Sequence, residues 1–157
     1  MSQPIDVAIA VIVRRGQVLI CRRKAGGSFA GYWEFPGGKC RAGEEIVACL
    51  ARELKEELSI VVKPVRKLTI VEYDYPEMKV RLHPFLCALV SGRPTALAAD
   101  KLQWVGVKKL AGYHQFHAVN KAVVASVLCL LASPKVSDSI LHPQFSLVAA
   151  TAPRLRV

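Results

Sequence analysis

Three glutamates, Glu53, Glu56 and Glu57, stand at i, i+3 and i+4 within the stretch Gly38 to Ile60, GKCRAGEEIVACLARELKEELSI. On a helix they fall within about a 100° arc of one side. Carboxylates that close repel one another, and like charges at this spacing destabilise an isolated helix by a few tenths of a kcal/mol per pair. A cation reverses that sign. On a neighbouring face the same helix carries Val47, Leu50, Ala51, Leu54 and Leu58, an apolar stripe able to dock on a core. Taken alone, an amphipathic helix rich in Glu and Lys is equally an ordinary solvated face. What surrounds it decides between the two.

The helix is expected over Ala42–Ser59, with Glu44 and Glu45 in its first turn, where the helix dipole favours anions. Before it, Ile5 to Val13 is β-branched and apolar and reads as a buried strand. Arg15-Gly16-Gln17 turns the chain into a second strand, Val18 to Arg22, making a hairpin. Lys24 to Gly31 is a glycine-rich loop. Pro36-Gly37-Gly38 is unsuited to a regular strand interior, and its glycines let backbone approach something closely. After the helix, Ile60 to Val71 reads as one strand, with Pro64 at an edge or bend. Glu72 to Glu77 reads as a turn, Met78 to Val90 as the return strand, and Ser91 to Ala99 as a loop. Leu102 to Val107 is a short strand and Lys108 to Phe116 is irregular. Ala118 to Leu131 is a second helix, packed through Val119, Ala122, Val123, Val127 and Leu130 or Leu131. Residues 133–157 carry Pro134, Pro143 and Pro153 and few charges. They form an extension of unassigned role, a packed tail or a dimer contact.

At 157 residues and 52% apolar content the chain is long enough for one folded domain with a proper core. A formal charge of +10 invites nucleic acid or anionic substrates. The basic residues are scattered, however, over Arg22-Arg23-Lys24, Lys63, Arg66-Lys67, Lys79 and Arg81, Lys108-Lys109, Arg154 and Arg156. A solvated basic surface or a site for a small phosphorylated anion accounts for them, and no nucleic-acid partner is expected. The five cysteines form no CxxC and read as buried, reduced thiols of a cytoplasmic protein, with no zinc site. Ala122 to Ala132 is too short to span a bilayer and MSQPID lacks a basic lead, so no membrane partner or signal peptide is expected.

At Gly38 the chain meets a specific pattern. Gly38, Glu44, Arg52, Glu53, Leu54, Glu56, Glu57 and Ile60 resemble the Nudix hydrolase signature at its own spacing, and only Ser59 departs, where the family has glycine. Trp33-Glu34-Phe35-Pro36-Gly37-Gly38-Lys39 is similar to the segment that precedes the box in the MutT branch. Gln103-Trp104-Val105 and Phe116-His117-Ala118-Val119-Asn120 resemble later elements of that branch. The likeness runs from about residue 4 to 131. It implies an α/β fold, a Nudix α/β/α sandwich with a mixed sheet between the box helix and a C-terminal helix. The domain is expected over residues 1–132.

The resemblance also implies a chemistry. It implies a Mg²⁺-dependent nucleoside triphosphate pyrophosphohydrolase, with Mn²⁺ as an alternative ion, that converts 8-oxo-dGTP to 8-oxo-dGMP and pyrophosphate and so sanitises the nucleotide pool. The same reaction on another triphosphate such as CTP is the nearest alternative. A non-catalytic base-sensing domain is the alternative of another class. Implied metal ligands are Glu53, Glu56, Glu57 and the main-chain carbonyl of Gly37. Arg52 would tie the glutamates in place and Glu44 would support them. Glu53 is the first candidate for general base, its roles as ligand and base not separated. Relatives often carry a further glutamate where Ala98 stands here, so either Asp100 substitutes or the box works alone. Arg23, Glu34, Phe35, Pro36, Gly37, Gly38 and Asn120 match the positions that line the substrate pocket. Ser28 stands where the family has a pocket histidine. Asn120 by itself could be a helix N-cap, Phe35 and Tyr32 could be core aromatics, and His114 and His117 read as loop residues and not metal ligands. The protein would act as a monomer or homodimer.

Overall fold

The first strand, β1 (Ile5–Arg14), is the centre of the sheet, and its two faces explain its composition. Ala8, Ala10 and Ile12 enter one core; Ile9, Val11 and Val13 enter the other. A strand covered on both faces reads as a continuous apolar run instead of alternating. In this computed structural model, which describes residues 3–132, β1 pairs antiparallel with β2 (Gln17–Arg22) and parallel with a long strand, Lys79–Ser91. The remaining strands are β3 (Trp33–Glu34), β4 (Gly37–Lys39), β5 (Val61–Lys67), β6 (Val71–Asp74), β7 (the Lys79–Ser91 strand) and β8 (Lys101–Gly106). The main order is β3-β2-β1-β7-β5, with β4 paired to β1, β6 to β7 and β8 to β2. Helix α1 (Ile46–Leu58) lies on one face through Cys49, Leu50, Leu54 and Leu58, and helix α2 (Ala118–Leu131) on the other through Val119, Val123, Val124 and Val127. This is the expected sandwich. The expected extension, residues 133–157 with Arg154 and Arg156, lies outside the described residues.

Several boundaries differ from the sequence expectations. Helix α1 begins at Ile46, not Ala42, because Gly43 has φ +73° and a tight turn precedes it. In that turn Glu44 N–H donates to the Arg41 carbonyl at 3.0 Å and the Arg41 N–H donates to the Glu44 carboxylate at 2.8 Å. Glu44 and Glu45 therefore stand ahead of the first turn. Val47, in that first turn, and Ala51, at the stripe's margin, are exposed, while Cys49 is buried. On α2 the buried stripe is centred nearer Asn120, so Val124 is buried and Ala122 exposed. The single strand expected from Ile60 to Val71 is two: β5 shifts register between Pro64 and Arg66, and Leu68 N–H donates to the Pro84 carbonyl before β6 starts. β6 runs on to Asp74, so the turn is confined to Tyr75–Met78. Gly37 and Gly38 lie in a three-residue strand, and Val107–Gly112 is a 3₁₀ turn. All five cysteines are free, but only Cys21, Cys49 and Cys87 are buried; Cys40 is half-buried and Cys129 exposed.

Ser59 caps α1 in the left-handed conformation, φ 56° and ψ 37°, and its N–H bonds the Lys55 carbonyl at 3.1 Å. An L-residue is strained there and glycine is not. Ser59→Gly is expected to stabilise the fold by about 0.5–1 kcal/mol, read as a shift of the urea midpoint with unchanged slope.

Candidate active site

Strand β4 brings the glycine pair onto β1, with Ile9 opposite Gly37 and Ala8 opposite Gly38. The approach is too close for any other residue. A Cβ on Gly37, whose φ is +146°, would stand 2.1 Å from the Ala8 carbonyl oxygen, and one on Gly38 would stand 2.3 Å from the Glu53 carboxyl. Absence of both side chains is thus what lets the carboxyl group of α1 rest against the β4 backbone.

Arg52 organises the acidic residues around that contact. Its Nε and Nη2 donate to the two oxygens of Glu44 at 2.7 and 2.8 Å, a bidentate pair. Its Nη1 donates to Glu53 at 2.7 Å and to Glu56 at 3.2 Å, and Nη2 also reaches the Lys39 carbonyl at 3.2 Å. Hydrogen bonds from Arg52 first, and from the Arg41 backbone second, hold the Glu44 carboxyl down to about 2. Glu57 is not part of this set. Burial first, then the charges of Glu53 and Glu34, push its carboxyl up to about 7.

Glu53 and Glu57 line a cavity of about 870 Å³ together with Arg23, Glu34, Phe35, Gly37, Gly38 and Asn120. The expected substrate-side residues are thereby brought together, apart from Pro36, whose carbonyl accepts from Ala10 N–H at 2.8 Å and anchors the segment to β1. Arg23 pairs with Glu34 at 3.0 Å. Asn120 is not the cap of α2, which is His117; it sits inside the first turn, buried, and its Oδ1 accepts from Phe35 N–H at 3.4 Å. Its Nδ2 donor has no partner among the described residues. Phe35 is buried with its ring 5.2 Å from that of Phe116.

Glu56 is half-exposed and bonded to Arg52, and does not line the cavity. Among the described residues no three His, Cys, Asp or Glu side chains converge on one point. The donors that face the cavity still fit a hard divalent cation. They include the Glu53 and Glu57 carboxylates, the crowding of Glu57 by Glu53 and Glu34 is relieved by positive charge, and Gly38 leaves the Glu53 carboxyl free of a neighbouring methyl group. Asp100 is committed to Arg22, whose Nε donates to it at 2.7 Å, and it lies outside this cavity.

Sequence reasoning missed His117 and Tyr75. His117 is buried, not a free loop residue. Its ring meets Phe29 edge-on at 4.2 Å, its Nε2 stands 3.4 Å from the Tyr75 hydroxyl, and its Nδ1 has no partner. Burial, then the Arg23 charge, holds its pKa below the ordinary histidine value. Both residues line the cavity. The only signal was the aromatic density of Tyr73-Asp74-Tyr75-Pro76, which reads equally as a surface turn.

A mixed sheet between two helices, with a glycine turn facing glutamates on the first helix, is a recognisable combination, and comparison with known proteins places it. The NUDIX domain model matches residues 3–127, and the chain belongs to the Nudix family. Its relatives include an 8-oxo-dGTP diphosphatase of Haemophilus influenzae, 32% identical over 131 residues, 82% of this chain and 95% of that one. An 8-oxo-dGTP diphosphatase of Buchnera aphidicola is 43% identical over 72 residues, 46% of this chain and 58% of that relative's length. A CTP pyrophosphohydrolase of Escherichia coli is 46% identical over 56 residues, 36% of this chain and 42% of that one. Among solved structures, a MutT Nudix hydrolase of Burkholderia pseudomallei superposes with a TM-score of 0.72 at 26% identity, covering 80% of this chain and 99% of that one. The chain is a Nudix hydrolase of MutT-like type. No helix of the described residues is long and apolar enough to cross a membrane.

Three carboxyls are shifted and set opposite pH limbs: burial raises Glu34 as well as Glu57, and the Arg52 hydrogen bonds lower Glu44. Glu57, raised from 4.5 to about 7, contributes stability that is present below its unfolded value and is lost as pH rises through 7. Glu44, lowered to about 2, contributes stability present above 4.5 and lost as pH falls toward 2. Metal-free protein is therefore expected to lose Tm as pH rises from 4.5 to about 7, the window Glu57 sets, with Glu34 adding to the same limb. Added Mg²⁺ should restore Tm more at pH 8 than at pH 5, and Glu57→Gln should flatten the alkaline limb. Thermal denaturation with and without chelator measures this; equal limbs in wild type and variant would contradict it.

Proposed function

We propose that the chain hydrolyses 8-oxo-dGTP to 8-oxo-dGMP and pyrophosphate with Mg²⁺, or Mn²⁺, at Glu53, Glu56, Glu57 and the Gly37 carbonyl. The observation that carries this reading is one cavity holding two kinds of group. Glu53 and Glu57 suit a cation and phosphates; Asn120 and Phe35 suit a base. The bound cation would neutralise phosphate charge and lower the pKa of a water. The chain's own residues do the rest. Water attacks the β-phosphorus, the bond from that phosphorus to the α,β-bridging oxygen breaks, and the water's proton passes to a carboxylate, with Glu53 as first candidate. Arg52 holds Glu53 and Glu56 in position, and Glu44 holds Arg52.

Asn120 bears on the choice of base. Guanine presents acceptors at O6 and N7. Oxidation at C8 places a proton on N7, so 8-oxoguanine presents an acceptor beside a donor. A planar amide offers the complement, a donor at Nδ2 and a second lone pair at Oδ1. The Phe35 N–H occupies one lone pair of Oδ1 and fixes the amide's orientation, and Nδ2 is left for the ligand. Names of relatives support the same substrate, and the E. coli CTP pyrophosphohydrolase supports a second reading, the same reaction on CTP. Substrate chemistry and the reduced thiols favour a cytoplasmic enzyme acting in mutation avoidance.

Glu53→Gln is expected to abolish pyrophosphate release with the fold retained. Asn120→Ala should lower kcat/KM for 8-oxo-dGTP about tenfold or more, the worth of one buried polar contact, and for dGTP much less. Steady-state rates on 8-oxo-dGTP, dGTP and CTP test the reading. Equal kcat/KM for all three would sink it, and a preference for CTP would install the second.

A further inference from the structure

His117 and Asn120 stand at the start of α2, His117 as the cap and Asn120 three residues on, in the first turn. Side chains at those two positions are neighbours on one side of a helix start. Both are buried, His117 with 6% of its surface exposed and Asn120 with 5%, and both line the cavity of about 870 Å³. Each carries one polar atom that the described residues leave without a partner. On Asn120 it is Nδ2, since Oδ1 accepts from Phe35 N–H. On His117 it is Nδ1, since Nε2 faces the Tyr75 hydroxyl at 3.4 Å. A buried polar atom with no partner is uncommon and calls for a reason. Bare buried donors are avoided more strictly than bare lone pairs. The imidazole proton therefore belongs on Nε2, beside the Tyr75 oxygen, and Nδ1 presents a lone pair. Burial and the Arg23 charge keep the ring neutral, which preserves that lone pair. The main chain anchors the imidazole beside Asn120. His117 N–H donates to the Trp33 carbonyl at 3.0 Å, and the His117 carbonyl accepts from Asn120 N–H at 2.9 Å.

We infer that His117 is a specificity-determining residue of this cavity, its Nδ1 accepting an N–H of the substrate's base beside the group that Asn120 binds. The inference rests on the reading of the cavity as a nucleotide site. A lone pair cannot be matched by phosphate oxygens, which only accept. It is matched by a base, since guanine carries a 2-amino group and cytosine a 4-amino group. Asn120 Nδ2 and His117 Nδ1 together form a donor beside an acceptor, which suits a base edge that presents an acceptor beside a donor. What packs on the ring from outside is easily moved. Phe29 meets it edge-on at 4.2 Å, but Phe29 belongs to the loop between β2 and β3, is 45% exposed and has a φ of +59°, strained for a residue with a Cβ. Gly26 and Gly31, at φ +88° and +80°, flank it with open space around them. Such a side chain swings aside at small cost when a base enters.

The probe is 8-oxo-dGMP, titrated calorimetrically into the full chain with excess Mg²⁺; deoxyribose 5-phosphate, which has the sugar and phosphate but no base, is the control ligand. His117→Phe keeps an aromatic ring and removes both nitrogens. It should weaken 8-oxo-dGMP about five- to tenfold, the worth of one neutral hydrogen bond, and move deoxyribose 5-phosphate less than about twofold. His117→Asn and His117→Gln separate the two nitrogens, because the Asn amide oxygen stands as many bonds from Cα as Nδ1 does and the Gln amide nitrogen as many as Nε2. His117→Asn should stay within about twofold of wild type, and His117→Gln should fall as far as His117→Phe. In turnover His117→Phe should raise KM with kcat held within about twofold, the mark of a contact made equally before and during reaction. Circular dichroism confirms that each variant is folded, and the contrast between Asn and Gln decides the matter should His117→Phe fold poorly. Rescue by Gln and not by Asn would show that His117 acts only through Tyr75. Equal weakening of deoxyribose 5-phosphate would place the contact on the sugar or phosphate. Either result overturns the inference, as does unchanged 8-oxo-dGMP affinity in His117→Phe or no binding of 8-oxo-dGMP or CMP by wild type. Titration needs no turnover, so failure to hydrolyse any triphosphate would defeat the proposed function and leave this result standing. Tighter binding of CMP would move the proposed substrate to cytidine, and the same variants are then read with CMP.

Discussion

The structure of the site depends on one guanidinium. Arg52 binds Glu44 with two parallel bonds and reaches Glu53 and Glu56 with a third nitrogen. Without it, Glu53 and Glu56 would repel one another along a single helix face, and each would turn toward water. Lysine could not replace it, since a point charge cannot make the planar fork to Glu44 and reach two further carboxylates at once. The bidentate bond also explains Glu44. It lies ahead of the helix, in a turn closed by Arg41, and acts as the fixed post to which Arg52 is tied. Charge alone would let the guanidinium swing among its three acidic neighbours; the post gives it one position.

The second constraint is steric and belongs to the sheet. β4 pairs with β1 through Gly37, Gly38 and Lys39, and at the two glycines the approach leaves no room for a side chain. Gly37 meets the strand and Gly38 meets the glutamate, each at a distance that excludes a methyl group. Ion pairing sets the orientation of Glu53, and the glycine pair sets its depth. These two constraints act on the same carboxyl from opposite sides, which is why it is little exposed although it lies on a polar face.

Much of this was legible in the sequence because it is local. The glutamates, Arg52 and Glu44 lie within one stretch at fixed spacing, and the glycine pair directly precedes it. Ser59 was legible too, since one position after the helix demands a left-handed residue and serine pays for it with strain. What was not legible depends on tertiary placement. The start of α1 moved to Ile46 because a turn held by Glu44 took residues that by propensity could be helical. The split of Ile60–Val71 follows from how β7 receives it, a matter of partner and register. His117 and Tyr75 come together across a sequence separation that no periodicity reports.

The two ends of the cavity are coupled through five consecutive residues. Glu34 pairs with Arg23, Phe35 N–H meets Asn120, the Pro36 carbonyl is bonded to β1, and Gly37 and Gly38 lie against the strand and Glu53. Just before them, Trp33 exchanges backbone bonds with Gln115 and His117 at the start of α2, at 2.9 and 3.0 Å. A short extended segment clamped at every residue behaves as a rod. Its length therefore fixes the distance between Asn120 on α2 and the Glu53 carboxylate on α1. Helices on opposite faces of a sheet have no direct contact through which to set that distance. The segment supplies it, and that is why residues of quite different chemistry occur there in an unbroken run. A change at Asn120 that shifted Phe35 would also shift Gly37 and Gly38, against which Glu53 rests, so the surroundings of Asn120 and of Glu53 cannot vary independently in this fold.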